Sequence, residues 1–176
     1  MRIVDVTVDF ETVGLGNNAA LIELAATEWN RDAECSDDIF MDSFMQRIDL
    51  TSAVFNGREF ETSTIKWWQS KPDAVKAAIL SEQCYPEKEV LENFAAWLEE
   101  CGKADDAEVV LWAQGSDFDI AILRNRYGYY RMAVMMVAPD WQFSTIETMK
   151  MVISGIITRL QPSRVKWVAI KDFLNM

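Results

Sequence analysis

The chain has 176 residues, half of them hydrophobic, with seven tryptophans and a formal charge of −11, which is enough apolar material for one domain with a sizeable core. No run of about 18 apolar residues is present to span a bilayer, and acids enter the N-terminal stretch too early for a secretory leader. A single cytoplasmic domain over residues 1–176, without a membrane partner, is the expectation.

In chain order, "RIVDVTVD" (2–9) alternates Val4, Val6 and Val8 with Asp5, Thr7 and Asp9, the period of a half-buried strand. Turn residues in "GLGNNAA" lead to two more strands, "ALIELAATEW" and "IFMDSFMQRI", and three strands with short connections predict an antiparallel meander. Helical patterns follow in "TSTIKWWQS", in "DAVKAAIL" after Pro72, and in "PEKEVLENFAAWLEEC", where Val90, Leu91, Phe94, Trp97 and Leu98 form one apolar stripe. Pro86 with acids at 87 and 89 marks that last helix's start. "EVVLWA" (108–113) reads as a short buried strand entering the helix "FDIAILRNRYG". "MAVMMV" reads as a fifth strand, and "STIETMKMVISG" and "SRVKWVAIKDFLNM" as helices. Strands first and then strands alternating with helices indicate an α/β domain with a mixed sheet of about five strands, the first three antiparallel.

The charge is uneven. From Arg124 onward eight Lys or Arg stand against three acids, a net +5, whereas residues 1–123 carry −16. An acidic body argues against unaided binding to a polyanion, but a basic C-terminal third could meet nucleic acid if cations neutralise the facing acids. Cys35, Cys84 and Cys101 are an odd set without C-x-x-C spacing, which suggests neither a disulfide framework nor a thiolate metal site.

Four acids stand out. Asp9 and Glu11 in "VDFETVG" lie two apart on a strand, so their side chains share a face at about 6.5–7 Å, a span suited to gripping two divalent ions about 3.5–4 Å apart. A lone D-x-E is more often just a solvent-exposed strand end, and the motif alone is weak. Asp119 in "WAQGSDFDIAIL" opens a helix, where acids also complement the helix dipole. Asp172 in "KWVAIKDFL" lies on the last helix and by itself could be any acid on a solvated face.

Taken together, D-x-E-T after the first strand, G-x-x-F-D after a later one and an acid following "VAIK" resemble the three motifs of DnaQ-like 3′-to-5′ exonucleases, the DEDD superfamily with the ribonuclease H-like fold. The ordered blocks "DFETVG", "NNAALIELA", "FETSTIKWW" and "WAQGSDFDIAIL" are similar to the ribonuclease T-like branch that includes phage exonuclease A and the exoribonuclease AS type. The resemblance implies that Asp9, Glu11, Asp119 and Asp172 bind two Mg²⁺ or Mn²⁺ ions, one activating the attacking water and the other stabilising the leaving 3′ oxygen. It places Phe10 and Thr12 against the terminal nucleotide of single-stranded DNA or RNA, and it implies a homodimer. Trp67 and Trp68 could add a stacking surface, although at helical spacing at least one of them belongs to the core.

The pattern breaks at the general base. Relatives carry histidine five residues before the last aspartate, where this chain has Trp167, and the chain contains no histidine. The alternative tyrosine position is Val168. An indole N–H donates but accepts no proton. Arginines typical of the "DWQFSTIET" segment are replaced by Ser144 and Glu147, and the last helix ends sooner after the aspartate than in relatives. Two functions are therefore carried forward: a metal-dependent 3′-5′ exonuclease working without its usual base, and a catalytically silent descendant that binds nucleic acid or a protein partner.

Overall fold

A computed structural model describes residues 3–34, 39–79, 83–103, 107–113 and 116–130. The expected fifth strand and the two C-terminal helices, with Asp172 and Trp167, lie outside the described residues. The meander is present as expected: β1 (Ile3–Thr12), β2 (Leu21–Trp29) and β3 (Phe40–Arg47) pair antiparallel in sequence, and β4 (Glu108–Trp112) adds parallel to β1. The sheet order is β3-β2-β1-β4, a mixed sheet of the ribonuclease H-like α/β class.

The alternation in β1 divides the sheet into two unlike faces. Val4, Val6, Val8 and Phe10 join Leu24, Ala26, Phe44, Val109 and Leu111 in the main core. That face is covered by two helices, α4 (Glu87–Lys103) and α5 (Ala121–Tyr130). From α4 it receives Val90, Leu91, Phe94 and Leu98, four members of the stripe read from the sequence, with Trp97 at the margin donating its indole N–H to Asp42 at 2.9 Å. Tyr127 of α5 donates to the Leu91 carbonyl at 3.0 Å and ties the two helices together.

The opposite face carries Asp5, Thr7, Asp9 and Glu11. Asp5 is fully buried there because Arg31 binds both its oxygens, at 2.6 and 2.5 Å, and Trp112 donates to one of them at 2.8 Å. A buried carboxylate is tolerable when both its oxygens have such partners.

Three short helices connect β3 to α4: α1 (Leu50–Phe55), α2 (Thr62–Gln69) and α3 (Asp73–Ile79). The sequence reading has no α1, whose six residues are too few to show a period. Asp49 caps it by accepting from the Thr51 N–H, and Gly57 leaves it at φ 64°, the left-handed conformation that favours glycine. Among the described residues no helix is long and apolar enough to cross a membrane.

Candidate active site

Asp9 and Glu11 project from the same face at the C-terminal end of β1, two residues before the strand gives way to the turn at Val13. The parallel ladder with β4 ends at the Thr7–Trp112 pair. Further along, the Phe10 N–H is taken instead by Asp119 Oδ1 at 3.2 Å across 109 residues of sequence. Asp119 reaches it from a single π-helical turn, Ser116–Ile120, that leads from β4 into α5; such turns re-aim a side chain where an α-helix would not. Asp119 is only 3 % exposed. The backbone between the two acids of D-x-E thus fixes the third acid beside them.

The electrostatics show the strain of this gathering. Burial, then Asp9, Glu23 and Asp119, push the Glu11 carboxyl up to about 7. Burial and then Asp9 push Asp119 up to about 7 against the amide hydrogen bonds that favour its charge. Asp9 is raised by burial and by Glu23. Like charges in a partly desolvated site behave in this way when no cation offsets them. Among the described residues no three such side chains converge into a group that could hold a metal ion alone. The donor set is nevertheless all carboxylate, the chemistry of a hard divalent cation.

Next to the acids lies a cleft of about 440 Å³ lined by Phe10, Glu11, Thr12, Trp67, Trp68 and Phe118, among others, within the usual size range of ligand pockets. Phe10 is 4 % exposed and belongs mainly to the core. Thr12 is buried and donates its hydroxyl to the Gly14 carbonyl at 2.6 Å. The tryptophans divide roles. Trp68 packs against Val13, Ala20, Ile22 and Ala53 and donates its indole N–H to the Thr12 carbonyl at 2.8 Å. Trp67 is 50 % exposed, meets Trp68 edge-on at 4.7 Å, and carries Lys71 Nζ over its ring at 3.6 Å. Trp67→Ala is expected to weaken binding of a single-stranded oligonucleotide by about 1–3 kcal/mol, the scale of one stacked base, with little loss of fold stability. Fluorescence anisotropy and thermal melting read the two effects separately.

Two acids important to this arrangement were not singled out in the sequence. Glu61 stands at the N-terminus of α2, makes no cap to its own helix, and accepts from the Leu15 N–H at 2.8 Å. It thereby docks the helix bearing both tryptophans onto the turn after β1. Gly14 permits this close approach, since a Cβ there would lie 3.1 Å from the Ala19 methyl and 3.3 Å from Glu61. Glu23 faces Glu11 across the β1–β2 pair. The alternation of β2 puts it on the polar face, but only the strand register puts it opposite Glu11.

A family model described as the 3′-5′ exoribonuclease Rv2179c-like domain matches residues 4–166. An exodeoxyribonuclease of Enterobacteria phage T4 is 29 % identical over 123 residues, 68 % of this chain and 53 % of the relative, so the chain spans about half the length of that protein. Among solved structures, the nuclease domain of 3′hExo, a DEDDh family member bound to rAMP, superposes with a TM-score of 0.51 at 17 % identity, over 98 % of this chain and 79 % of that one. The zinc-bound E. coli ExoI–ssDNA complex superposes at 0.52 and 12 % identity, over 85 % of this chain and 29 % of that one.

Proposed function

The chain belongs to the Rv2179c-like family of 3′-5′ exoribonuclease domains, and from that premise we propose that it removes nucleotides from the 3′ end of single-stranded nucleic acid at a divalent-cation site formed by Asp9, Glu11, Asp119 and Asp172. The observation that carries this reading is the Phe10 N–H to Asp119 hydrogen bond, which brings the D-x-E-T and G-x-x-F-D motifs to one point. Bound Mg²⁺ or Mn²⁺ would supply activation of the attacking water and stabilisation of the departing 3′ oxygen.

The chain's own residues do the remainder. Asp119, by accepting the Phe10 N–H, is tied to the strand segment between Asp9 and Glu11. Trp67 offers an exposed ring for the terminal base, and Trp68, held by the Thr12 carbonyl, backs it. Fixing the last nucleotide in the cleft places its phosphodiester next to the acids, and such orientation accounts for much of the barrier reduction in a two-centre reaction.

One observation favours the second reading, a silent binder: the chain has no histidine, and the position five residues before Asp172 is Trp167. Loss of general-base help typically costs about 10²–10⁴ in rate. Retention of all four acids favours a slow enzyme over a dead one.

Metal binding is tested without any turnover. At Mn²⁺ about 100-fold above its dissociation constant, linkage adds about 2.7 kcal/mol, which for a domain of this size raises Tm by roughly 5–10 °C. Wild type is expected to show this rise and Asp9→Asn to lose most of it. No shift in wild type at millimolar Mn²⁺ would contradict the proposed site.

A further inference from the structure

Basic charge gathers locally in a body that is otherwise acidic. Residues 62–76, "TSTIKWWQSKPDAVK", hold three lysines against one aspartate, a net +2 within the part of the chain that totals −16. That aspartate, Asp73, is paired with Lys76 at 2.8 Å. The cleft takes Ser63, Thr64, Trp67 and Trp68 from α2. At about 100° per residue, Lys66 falls on the side of Trp67 away from Trp68, where it is exposed.

Lys71 is placed differently. Its Nζ lies 3.6 Å from the centre of the Trp67 ring, well inside the range of a cation–π contact. The end of α2 fixes this return. The Ser70 N–H donates to the Lys66 and Trp67 carbonyls at 3.1 Å, the Ser70 hydroxyl to the Trp67 carbonyl at 2.6 Å, and the Lys71 N–H to the Trp68 carbonyl at 3.0 Å. Pro72 then steers Lys71 out of helical geometry. Ser63 and Thr64, which share the cleft with Glu11, come a turn before Trp67, and Lys71 comes a turn after it. A ring for the base with a cation beside it for the backbone is the combination that holds single strands without reading their sequence.

We propose that Lys71 is a nucleic-acid contact: when a base stacks on Trp67, the Lys71 ammonium binds the backbone phosphate next upstream of the scissile one. This rests on the nuclease reading above. With the scissile phosphate at the acids and the terminal base on Trp67, the strand leaves the cleft past Lys71. The four-carbon stem of lysine carries the charge from ring to phosphate without moving the backbone. An exposed cation–π contact opposes that move by only about two- to fivefold in an equilibrium.

A phosphate contact has a signature that a ring-holding residue lacks. On single strands each one lowers affinity by about 0.7 of a log unit per tenfold rise in salt, through released counterions. The probe is a 5′-labelled oligothymidylate or oligouridylate, whichever binds more tightly, with a hydrolysis-resistant phosphorothioate as its final linkage. Anisotropy is followed from about 30 to 300 mM NaCl at fixed Ca²⁺ for wild type, Lys71→Met and Lys71→Arg, with melting as the check on folding. Lys71→Met is expected to bind about three- to tenfold more weakly at the low end and to lose about 0.7 from the slope, and Lys71→Arg to keep the wild-type slope. An uncharged methylphosphonate at the next linkage upstream should cost wild type the same 0.7 and cost Lys71→Met nothing further. Affinity reduced by one factor at every salt concentration in Lys71→Met would show a residue that only holds the ring and overturns the proposal. So does a methylphosphonate that lowers both slopes equally. A wild type that binds neither oligonucleotide defeats the nucleic-acid reading itself, whereas wild-type binding with the slope unmoved in Lys71→Met defeats only the role of Lys71.

Discussion

Asparagine in place of Asp119 is expected to lower the rate of 3′-end hydrolysis by at least about 10²-fold, the scale of removing one preorganised electrostatic group from a site, while making the metal-free protein more heat-resistant at neutral pH. Asparagine has nearly the same shape and can still accept the Phe10 N–H, so local geometry is kept and only the charge is lost. The stability effect follows from the raised Asp119 carboxyl, which burial and then Asp9 push up to about 7. A carboxyl raised in the fold binds a proton there that the unfolded chain has already released. Its favourable contribution is fully present below the unfolded value near 3.8 and is lost as pH rises through about 7. Wild type in EDTA should therefore lose stability between pH 4 and 7.5, Glu11 contributing in the same direction, and Asp119→Asn should lose less of it. Initial rates with saturating Mn²⁺ and calorimetric melting in EDTA at the two pH values measure both effects. A variant with wild-type rate would remove Asp119 from the reaction.

Glu87→Gln is expected to have the largest effect on the fold, a loss of about 3–5 kcal/mol, the cost of leaving buried charge unpaired. Glu87 and Arg126 are fully buried and Arg58 nearly so. One carboxylate oxygen of Glu87 accepts from Arg58 at 2.6 Å and from the Tyr130 hydroxyl at 3.0 Å, and lies 3.4 Å from Arg126 Nε. Without that anion two guanidiniums repel each other in the interior, where Arg126 is already lowered to about 10 by burial first and by Arg58 to a lesser degree, with Glu87 opposing both. The consequence reaches the site, because these arginines hold the turn that follows D-x-E-T. Arg126 donates to the carbonyls of Asn17 and Ala19, and Arg58 donates to Asn18 Oδ1 at 3.2 Å. Urea unfolding measures the loss. A change under about 1 kcal/mol would show that the cluster is not a structural keystone, and hydrogen exchange at residues 17–20 should rise in the variant.

What was legible in the sequence follows the range of each interaction. Val4, Val6 and Val8 declared a strand and its buried face, and the Val90-to-Leu98 stripe declared α4 and its packing face, because period and burial are local patterns. The D-x-E pair and Asp119 stood out only through the order of motifs that carries the family resemblance, and what the structure adds is the bond from the Phe10 N–H to Asp119 that joins the two segments. Glu87 looked like an ordinary acid at a helix start, since its partners Arg58 and Arg126 are far away in sequence and only tertiary packing makes it a buried anion. Glu23 sat in an unremarkable alternating strand until the register placed it opposite Glu11. The two tryptophans were indistinguishable as neighbours. The indole of Trp68 is claimed by the Thr12 carbonyl and a small apolar cluster, and that leaves Trp67 facing outward.

The most direct test of the account is digestion of 5′-labelled single-stranded oligonucleotides, one DNA and one RNA, in Mn²⁺ by wild type, Asp9→Ala and Trp167→His. The account predicts a slow 3′-to-5′ ladder in wild type on at least one of them, none in Asp9→Ala, and a ladder faster by up to about 10²–10⁴ once Trp167→His restores a base. A ladder that persists at wild-type rate in Asp9→Ala would contradict it.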